Sequence, residues 1–501
     1  MSHFSDYSIY ILPYRIQSKR YGLILKIAEN KGYRLSKEVN CDVTHLITEL
    51  PDYGSIKKYI SGTGFNGKIV RLAWFLDSNR LNSPQPEGGY EILPTENYEV
   101  KPKKSKPDFD LRAFNACVPD RKARLEHPNK NLSEPLDILR HYWEVMGQTE
   151  VDANRELAFM KAAATIKCLP FKVEDVQQVR GIKDLGEGHC FKVVKEVLET
   201  GKSEEVEEKK ADTKFAILDS FMEVFNSGKA KAKEWYNEGY RSVWDLRNKY
   251  KDKEKETDVR IMFGLAFYED LTTPVKVEEG KNIFDFVSEV AQSVLPGITL
   301  NMIGGFRRGK SSGHDVDILF THEEEGREQK FGPELAKELD RMNLIMWHQV
   351  THSPENSGKL KNETILENKV YLTMTMFKYP LDGDFSPWKN REEGPKEFHA
   401  KYTGDSAALF ELADSNRSWK AVRVDFVTAP KSQWATALMG WTGNKNYNRI
   451  FRQYASAEKG LAINNSCVFN KKTKEVYPVG SEEDIFKHAG ISYHDPTERN
   501  F

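Results

Sequence analysis

Cysteine is scarce in this chain of 501 residues, and its five cysteines stand far apart. They form no CxxC pair and no zinc-binding spacing, so the sequence indicates neither a disulfide framework nor a structural zinc site. No run approaches the roughly 18 apolar residues of a membrane span, and the first residues lack the basic and apolar parts of a secretory signal. We therefore expect a soluble, intracellular protein with reduced thiols.

An excess of either charge is also missing, because 74 Lys and Arg residues balance 75 Asp and Glu residues. The net charge of −1 indicates no class of partner, so a nucleic-acid-binding surface would have to come from local segregation of charge. The sequence contains no visible internal repeat. Its length exceeds one ordinary hydrophobic core, which predicts several domains.

The first hundred residues combine strand-like and helical patterns. Residues 7–12 and 43–48 are typical of strands, residues 20–31 of a helix, and Trp74 lies in an apolar stretch that we interpret as a further helix. Together with Asn30–Arg34 and Val43–Ile47, this segment resembles a BRCT domain, predicted over 1–100. An unrelated small α/β domain is the alternative.

A linker is predicted over 101–130, since the Pro/Lys run at 101–107 cannot hold a regular element. That run is typical either of a nuclear import signal or of an ordinary solvated linker. Helical patterns follow, which we interpret as two helical subdomains over 131–212 and 213–271. Each contains a glycine turn, at 181–188 and 225–228, resembling a helix-hairpin-helix that presents backbone N–H groups to a DNA phosphate. Ordinary turns between helices are the alternative.

Strand-like runs return in the second half of the chain, at 299–303, 316–321, 370–377 and 421–427. They predict a mixed α/β domain over 272–428, with a long polar loop or insertion at 381–417. The segment 429–501 is typical of a small α+β domain, with a hairpin-like pair at 466–470 and 476–479. The predicted fold class is therefore multidomain α/β and α.

A turn rich in glycine and positive charge is the most informative stretch of the sequence. Gly304 and Gly305 let the backbone approach a phosphate, and Arg308 and Lys310 supply charge for phosphate oxygens. The turn also satisfies the ATPase pattern G-x-x-x-x-G-K-[ST]. We reject that interpretation because a strand follows three residues later, whereas the ATPase loop opens into a long helix.

Acidic residues follow this turn directly. Asp315 and Asp317 lie on one face of the next strand, about 6.6 Å apart along it. Asp425 lies in a later strand whose neighbouring residues alternate toward a core, and we expect it to join them. Carboxylates arranged in this way can hold two Mg²⁺ ions roughly 3.5–4 Å apart. The turn and the three carboxylates together predict a nucleotidyl-transfer site.

The pair His348 and His352 has the spacing of a zinc protease motif but lacks its Glu. We interpret both histidines as residues that bind no metal.

These motifs, with 421–427 and Gly440–Gly443, resemble the family X DNA polymerases, and within that family the branch of polymerase mu and terminal deoxynucleotidyltransferase. The resemblance covers nearly the whole chain. It implies a polymerase palm of nucleotidyltransferase fold over 272–428 and a nucleotide-selecting subdomain over 429–501. It also implies transfer of a nucleoside monophosphate to a primer 3′-OH with release of pyrophosphate. Two Mg²⁺ ions would be needed, for which Mn²⁺ can substitute.

The resemblance assigns roles to matching positions. Asp315 and Asp317 would hold both metal ions, and Asp425 would hold the catalytic one. The implied nucleotide-binding residues are Gly304, Gly305, Arg308, Lys310, His314, Gly440, Trp441, Gly443, Lys445 and Asn465. His314 would touch the nucleotide and primer, and Asn465 the incoming base. Gly440 replaces a tyrosine that crowds the sugar 2′ position in polymerases beta and lambda, which implies weak discrimination against ribonucleotides.

Several positions depart from the family pattern. Val193 stands where lyase-active relatives carry a nucleophilic lysine, so removal of 5′-deoxyribose phosphate is not expected. Asn226 replaces the first glycine of the second turn, so the sequence leaves open whether that turn binds a monovalent ion. Leu372 lies where this branch usually has a basic residue, and 351–369 resembles a template-mimicking loop, from which we expect some untemplated synthesis.

The implied function is gap filling in double-strand break repair by non-homologous end joining, in the nucleus. DNA and nucleoside triphosphates would be the substrates, and Ku and the DNA ligase IV complex the expected protein partners of the BRCT-like domain. A dedicated template-independent terminal transferase is the main alternative. A catalytically idle BRCT scaffold and an RNA-tailing enzyme are two further alternatives.

Overall fold

A computed structural model describes residues 3–14, 16, 18–50, 53–93, 109–116, 118–185, 188–251, 258–352, 370–389 and 406–501. The chain forms two compact units that divide between residues 105 and 106, and each is described by itself. In the described part of the chain, every helix is too short or too polar to cross a membrane.

The first unit is a four-stranded parallel sheet with helices. Its elements are β1 (Ser8–Ile11), α1 (Ser18–Lys31), β2 (Arg34–Leu35), β3 (His45–Thr48), α2 (Tyr53–Ile60), β4 (Lys68–Arg71) and α3 (Leu72–Arg80). The strand order is β2-β1-β3-β4. Trp74 is fully buried in the core, where its ring stacks on His45 at 4.9 Å. The sequence patterns found β1, α1, β3 and the Trp74 helix, but missed the short β2, β4 and α2.

The second unit begins with helices. They are α4 (Leu111–Ala116), α5 (Lys130–Met146), α6 (Glu150–Lys167), α7 (His189–Thr200), α8 (Glu204–Lys210), α9 (Thr213–Met222), α10 (Lys229–Asn237), α11 (Val243–Lys251), α12 (Val259–Ala266) and α13 (Tyr268–Thr272). Local sequence fixes the ends of α6: Thr149 and Asp152 form a capping box at its start, and Leu169-Pro170 follows its end.

A mixed α/β part follows in the same unit. Its elements are β5 (Val275–Lys276), α14 (Val277–Val294), β6 (Ile298–Met302), α15 (Gly304–Arg307), β7 (Ser312–Gly313), β8 (Asp315–His322), α16 (Phe331–Arg341), β9 (Ile345–His352), β10 (Tyr371–Pro380), α17 (Ser386–Lys389), α18 (Ser406–Asp414) and β11 (Trp419–Thr428). A five-stranded sheet has the order β6-β8-β11-β10-β9, in which β8 and β11 are parallel. Helices α14 and α16 pack on this sheet and bury Phe320 and Phe426 with Phe331.

The chain ends in a small part of helices and short strands. They are α19 (Trp434–Thr442), α20 (Lys445–Glu458), β12 (Leu461–Ile463), β13 (Val468–Asn470), β14 (Val476–Tyr477) and α21 (Glu482–Ala489). Strands β12, β13 and β14 form an antiparallel sheet, which contains the predicted hairpin pair. The four strand-like runs predicted in the mixed part match β6, β8, β10 and β11 within a few residues.

Two predicted loop regions contain helices. Within 381–417 the structure has α17 and α18, and residues 390–405 lie outside the described residues. The predicted loop or insertion therefore contains two helices, and Leu409 and Phe410 of α18 are buried in the core. Within 101–130, helix α4 packs Leu111 and Phe114 against the helical core. Residues 101–108, with the Pro/Lys run, and 353–369, with most of the predicted template-mimicking loop, lie outside the described residues.

Candidate active site

Three carboxylates meet on two neighbouring parallel strands. Strands β8 and β11 pair with Asp317 opposite Asp425 and Asp315 opposite Arg423. Each aspartate offers one oxygen within 4.8 Å of those of the other two. The intervening residues of both strands are buried in the core on the opposite face, so the alternation of the sequence places all three carboxylates on one face. In the described part of the chain, no other trio of His, Cys, Asp or Glu side chains is placed to share an ion.

The buried negative charge of this cluster would be compensated by a cation. Asp425 is 5 % exposed, and its Oδ1 accepts no hydrogen bond from any described residue. Burial raises the pKa of Asp425, while Arg423 acts in the opposite direction. Burial and then repulsion from Asp425 raise the pKa of Asp317, which Arg308 opposes. Because an unpaired buried carboxylate is costly and hard oxygen ligands suit Mg²⁺ and Mn²⁺, these residues fit a divalent metal site.

Arg423 is a site residue to which the sequence analysis assigned no role, although the alternation of its strand places it on the same face as Asp425. Its guanidinium pairs with Asp315 through Nη2, and its Nε lies 3.4 Å from Oδ2 of Asp425. The same guanidinium stands over the ring of Phe225 at 5.7 Å. The alternation of β11 indicates the position of Arg423 beside the carboxylates, because Arg423 precedes Asp425 by two residues and therefore shares its face.

The glycine turn packs directly against this cluster. The backbone N–H of Ile303 donates to the carbonyl oxygen of Asp317 at 2.9 Å, which holds the start of α15 on β8. Gly304 has a φ of +65°, and a Cβ at this position would stand 2.3 Å from Oδ2 of Asp317. Glycine is therefore required at 304 for both conformation and space. After Lys310 the chain enters strands β7 and β8, so no long helix follows the turn and the ATPase interpretation is excluded.

Arg308 and Lys310, two of the three cationic side chains of the turn, differ in their surroundings. Arg308 donates through Nη1 to the carbonyl oxygens of Thr442 (2.5 Å) and Gly443 (2.9 Å), and through Nε to Asn500 at 3.2 Å. Arg308 thus ties the turn to the C-terminal part. Burial lowers the pKa of Arg308, and burial followed by repulsion from Arg308 and Lys167 lowers that of Lys310. Arg308 is half-buried and Lys310 is exposed, and a bound anion would pair with both positive charges.

The predicted nucleotide-selecting residues lie at the end of α19 and close to it. A Cβ on Gly440 would stand 1.9 Å from Oδ1 of Asn465, and one on Gly443 would stand 2.0 Å from Nδ2 of Asn448. Asn448 also donates to the carbonyl oxygen of Gly440 at 2.8 Å. Asn465 accepts a hydrogen bond from Nη2 of Arg452 at 2.8 Å. The sequence analysis missed Asn448 and Arg452, since helix spacing alone does not indicate that Asn448 lies against Gly443 or that Arg452 contacts Asn465.

The remaining predicted residues surround this arrangement. Trp441 packs against the cluster that contains Ile303 and Leu372, and its Nε1 has no hydrogen-bond partner among the described residues. Lys445 is exposed at the start of α20. His314 is exposed and, with Arg423, lines a cleft of about 430 Å³ whose opposite wall includes His141, Asp219 and Phe225.

Both glycine turns of the helical part begin a helix. Gly188 is the N-cap of α7 and Gly228 the N-cap of α10. Asn226, which stands in place of a glycine, adopts a φ of +62°, a conformation that Asn tolerates better than most residues. Val193, at the position to which the resemblance assigns the lyase nucleophile, is an apolar side chain that is 1 % exposed in the helical core. His348 and His352 both lie in strand β9.

Family models match three consecutive parts of the second unit. Residues 219–272 match the fingers domain of DNA polymerase lambda. Residues 275–366 match the palm of DNA polymerase beta, and residues 437–500 match its thumb. The palm match contains Asp315 and Asp317, and the thumb match contains Gly440 and Asn465.

Curated proteins match over the whole chain. The chain is 31 % identical to the human DNA-directed DNA/RNA polymerase mu over 508 residues, which cover 100 % of this chain and 95 % of that protein. It is 26 % identical to the DNA nucleotidylexotransferase of Xenopus laevis and 27 % identical to that of Ambystoma mexicanum. Both of these matches cover 99 % of this chain and 94 % of the relative.

Proposed function

Because the chain belongs to the family X DNA polymerases, it is a nucleotidyltransferase, and we propose that it fills short gaps in DNA at broken ends during non-homologous end joining. The observation that carries this proposal is the meeting of Asp315, Asp317 and Asp425 beside the turn Gly304–Lys310. A carboxylate cluster next to a phosphate-binding turn is the arrangement that nucleotidyl transfer requires.

The carboxylates would hold two Mg²⁺ ions, or Mn²⁺ in their place. Bound there, the ions would lower the pKa of the primer 3′-OH and neutralise charge on the transferring phosphoryl group. The unpaired Oδ1 of Asp425 offers a ligand atom, and Arg423 would compete with a bound ion for Oδ2 of Asp315. A monovalent ion at the turn 225–228 is a further proposal, resting on the glycine-like conformation of Asn226.

The turn itself would bind the triphosphate. Lys310 is exposed and has no carboxylate partner among the described residues, and its pKa is lowered by partial desolvation and by the neighbouring Arg308 and Lys167. A triphosphate placed against Gly304 and Gly305 would supply the missing negative charge. Arg308 holds the turn against the C-terminal part. This would keep the phosphate contacts of the turn and the sugar contacts of the C-terminal part at a fixed position relative to each other.

DNA would enter the cleft between His314 and the helical part, with the primer end next to Asp425. The helix starts at Gly188 and Gly228 would bind backbone phosphates on either side. Because these contacts are to phosphates, DNA affinity should fall steeply with salt concentration. We do not propose lyase activity, since Val193 provides no amine.

Tolerance of ribonucleotides is part of the proposal. No side chain projects from residue 440 toward the sugar, and Trp441 packs into the palm next to it. The relative at 31 % identity bears the name DNA/RNA polymerase, which supports this assignment. Lys445, Gly443 and Asn465 are proposed as the remaining nucleotide contacts.

We propose that the first unit is a BRCT-like domain that recruits the chain to Ku and the DNA ligase IV complex in the nucleus. Its parallel sheet with a buried Trp74 supports this proposal. The second candidate function is that of a dedicated terminal transferase, because relatives named DNA nucleotidylexotransferase also match 99 % of the chain.

A primer-extension panel tests these proposals. The chain should extend the primer of a one-nucleotide gap faster than a single-stranded primer, with some untemplated addition on the latter. Asp317→Ala should abolish both reactions, which would exclude an idle scaffold. A preference for the single-stranded primer would instead favour the terminal transferase.

A further inference from the structure

Helix α10 carries positive charge that is held by backbone oxygens rather than by carboxylates. Lys229 and Lys233 lie one turn apart on the same face of this helix. Nζ of Lys229 donates to the carbonyl oxygen of Glu144 at 2.7 Å, and Nζ of Lys233 donates to that of Gly147 at 3.3 Å. These oxygens belong to the last turn of α5 and to the residue that follows it. Their contacts place the two ammonium groups without neutralising them.

Two further cations surround Tyr236, which follows Lys233 by three residues. Nζ of Lys214, near the start of α9, stands 5.1 Å from the centroid of the Tyr236 ring, and the guanidinium carbon of Arg241 stands 4.0 Å from it. Nη1 of Arg241 donates to the carbonyl oxygens of Tyr236 and Tyr240, each at 2.7 Å. Both cationic side chains are exposed. Lys214, Lys229, Lys233 and Arg241 thus form a group, which we call the basic row.

The carboxylates around α10 have other partners. Glu234 pairs with Lys231 at 2.8 Å, and Glu238 pairs with Lys249. Asp245 accepts hydrogen bonds from the backbone N–H groups that follow α10. The ion pairs of the described residues therefore leave the basic row without a carboxylate partner.

The charges of the basic row lie close enough to act on one another. Desolvation and then repulsion from Lys229 and Lys214 lower the pKa of Lys233, while Asp152 acts in the opposite direction. Like charges that are held together in this way are stabilised by a bound polyanion.

The basic row begins at the second glycine turn, 225–228. Gly228 is the N-cap of α10, and Phe225 lines the cleft that also contains His314 and Arg423. From residue 229 to residue 236 the helix axis extends about 10 Å, which corresponds to about three phosphates along one strand of duplex DNA. A strand with a phosphate at the start of α10 can therefore follow the row away from the cleft.

We propose that the basic row binds the phosphate backbone of the duplex DNA arm that leaves the cleft past the turn 225–228. This inference rests on the proposed function, which places DNA in that cleft. It extends DNA binding from the backbone N–H groups of the turn to four side chains outside the cleft. With a net charge of −1, the chain can bind DNA only where its cations are segregated, and the basic row is such a place.

The aromatic residue of the row favours a duplex over a single strand. Proteins that hold single strands stack the bases on aromatic rings. Lys214 and Arg241 already lie over the ring of Tyr236, so this ring is engaged. The bases of a duplex are paired and need no such ring, and its phosphates need only positive charge. Contacts of this kind are independent of the base sequence.

Binding of gapped DNA with arms of different lengths tests this surface. Each substrate has a one-nucleotide gap between duplex arms of about 8 base pairs, and one arm at a time is lengthened to about 20. Fluorescence anisotropy with the full-length chain gives the Kd at several salt concentrations. In the wild type, lengthening one of the two arms should tighten binding by about tenfold. A single-stranded extension of the same length should give a smaller gain.

Substitutions in and beside the basic row form matched pairs. Lys233→Gln and Lys214→Gln should each reduce the gain from the longer arm about threefold, and should lower the slope of log Kd against log salt by about 0.9, the value for one phosphate contact on duplex DNA. Lys214 is exposed, so its loss leaves the contact of α10 with α5 intact. Lys231→Gln should keep the gain, because Lys231 lies on the same helix but pairs with Glu234. Lys233→Arg retains the charge and should also keep the gain.

A wild type without any gain from longer arms overturns the inference, as does an unchanged gain in both glutamine variants of the row. Equal losses in Lys231→Gln or in Lys233→Arg also overturn it, because the cause would then be total charge or the packing of α10 on α5. A gain from the single-stranded extension that equals that of the duplex overturns the assignment to a duplex arm. Failure of the wild type to extend the gapped primer with a deoxyribonucleoside triphosphate would reject the proposed function itself, an outcome distinct from all of these.

Discussion

At the scale of single residues, Gly304 is the position at which adding one methyl group should lower kcat the most. Alanine there must adopt a φ near +65° and place its Cβ 2.3 Å from Oδ2 of Asp317. The conformation alone costs about 1–2 kcal/mol, and the clash displaces a carboxylate of the site. Gly304→Ala should lower kcat by about 100-fold, the effect of misplacing a reacting group by roughly 1 Å. Single-turnover extension of a gapped primer measures it.

Gly305→Ala is the matched control for this prediction. Gly305 has no left-handed φ, and the atom nearest to its added Cβ would be Cδ of Lys310, on a flexible side chain, at 3.1 Å. It should therefore lower kcat by less than about tenfold. Equal losses in the two variants would show that the turn tolerates no side chain anywhere, and that the clash with Asp317 is not the cause.

The carboxylates were predictable from residue types, whereas their surroundings were not. Alternation placed Asp315 and Asp317 on one face and Asp425 on another strand, and the structure brings them together. The contacts of Arg423 with Asp315 and of Arg452 with Asn465 depend on side-chain conformations and on distant elements. No periodicity in the sequence encodes such pairs, so they required coordinates.

At the scale of elements, a buried ion network connects α15 to the C-terminal part. Glu482 at the start of α21 lies 2.6 Å from Nη2 of Arg307 and 2.6 Å from Nη1 of Arg499. Arg499 is fully buried and Glu482 is 4 % exposed. Breaking a buried pair by removing one partner costs about 3–5 kcal/mol, because the other charge stays behind. Glu482→Gln should therefore lower the Tm by several degrees, and Glu483→Gln, at the exposed next position, should leave it nearly unchanged.

The pH dependence of that effect follows from the pKa of Glu482. Burial acts to raise this pKa, but Arg307 and Arg499 outweigh burial and hold it below its usual range. The stabilisation is therefore present above the ordinary glutamate pKa near 4.3 and is lost as the pH falls through the lower folded-state value. The Tm difference between wild type and Glu482→Gln should be constant from about pH 6 to 8 and should shrink in acid. A difference that grows in acid would contradict this assignment.

A second pair of elements, α5 and α9, is joined by a histidine. Nε2 of His141 lies 2.7 Å from Asp219, and its Nδ1 lies 3.5 Å from Glu144. Hydrogen bonds to Asp219 and then Glu144 raise the pKa of His141 to about 9. Because the side chain is 38 % exposed, solvent screening reduces the stabilisation to about 1 kcal/mol. His141→Gln should lose that amount at neutral pH, as measured by thermal unfolding.

Raising the pH should remove this difference. A histidine with a raised folded-state pKa stabilises the protein fully below its unfolded pKa of about 6.5, and the effect disappears as the pH rises through about 9. Wild type and His141→Gln should therefore converge near pH 10. Asp219→Asn in both backgrounds tests the pair directly, since His141→Gln should cost little once Asp219 is neutral. A cost that persists at high pH would assign the loss to packing against Phe215.

At the scale of the whole molecule, the sequence was most informative where burial enforces a regular pattern. The strands of the mixed part were predicted because their apolar residues alternate or run continuously, and the resemblance to family X DNA polymerases is confirmed by the match over the whole chain. Helix α18 was missed because the polar residues around it determined the interpretation of 381–417, although six of its nine residues, Ser406–Asp414, are Ala, Leu or Phe. Strand β2 was missed because it has only two residues, and β4 was missed because its Ile69 and Val70 continue directly into the apolar residues of α3, so that the whole run was interpreted as one helix.

The division of the chain between residues 105 and 106 leads to the last prediction. The first unit has its own core around Ile9, Trp74 and Phe75, and all three carboxylates of the candidate site belong to the second. A chain beginning at Lys106 should therefore fill a preformed one-nucleotide gap at a rate within about threefold of the full-length chain. It should lose extension across broken ends that depends on Ku and the DNA ligase IV complex, because we assign recruitment to the first unit. Isolated 1–105 should inhibit that joining reaction by competition and leave gap filling unaffected. Loss of gap filling in the shortened chain would show instead that the first unit contributes to catalysis.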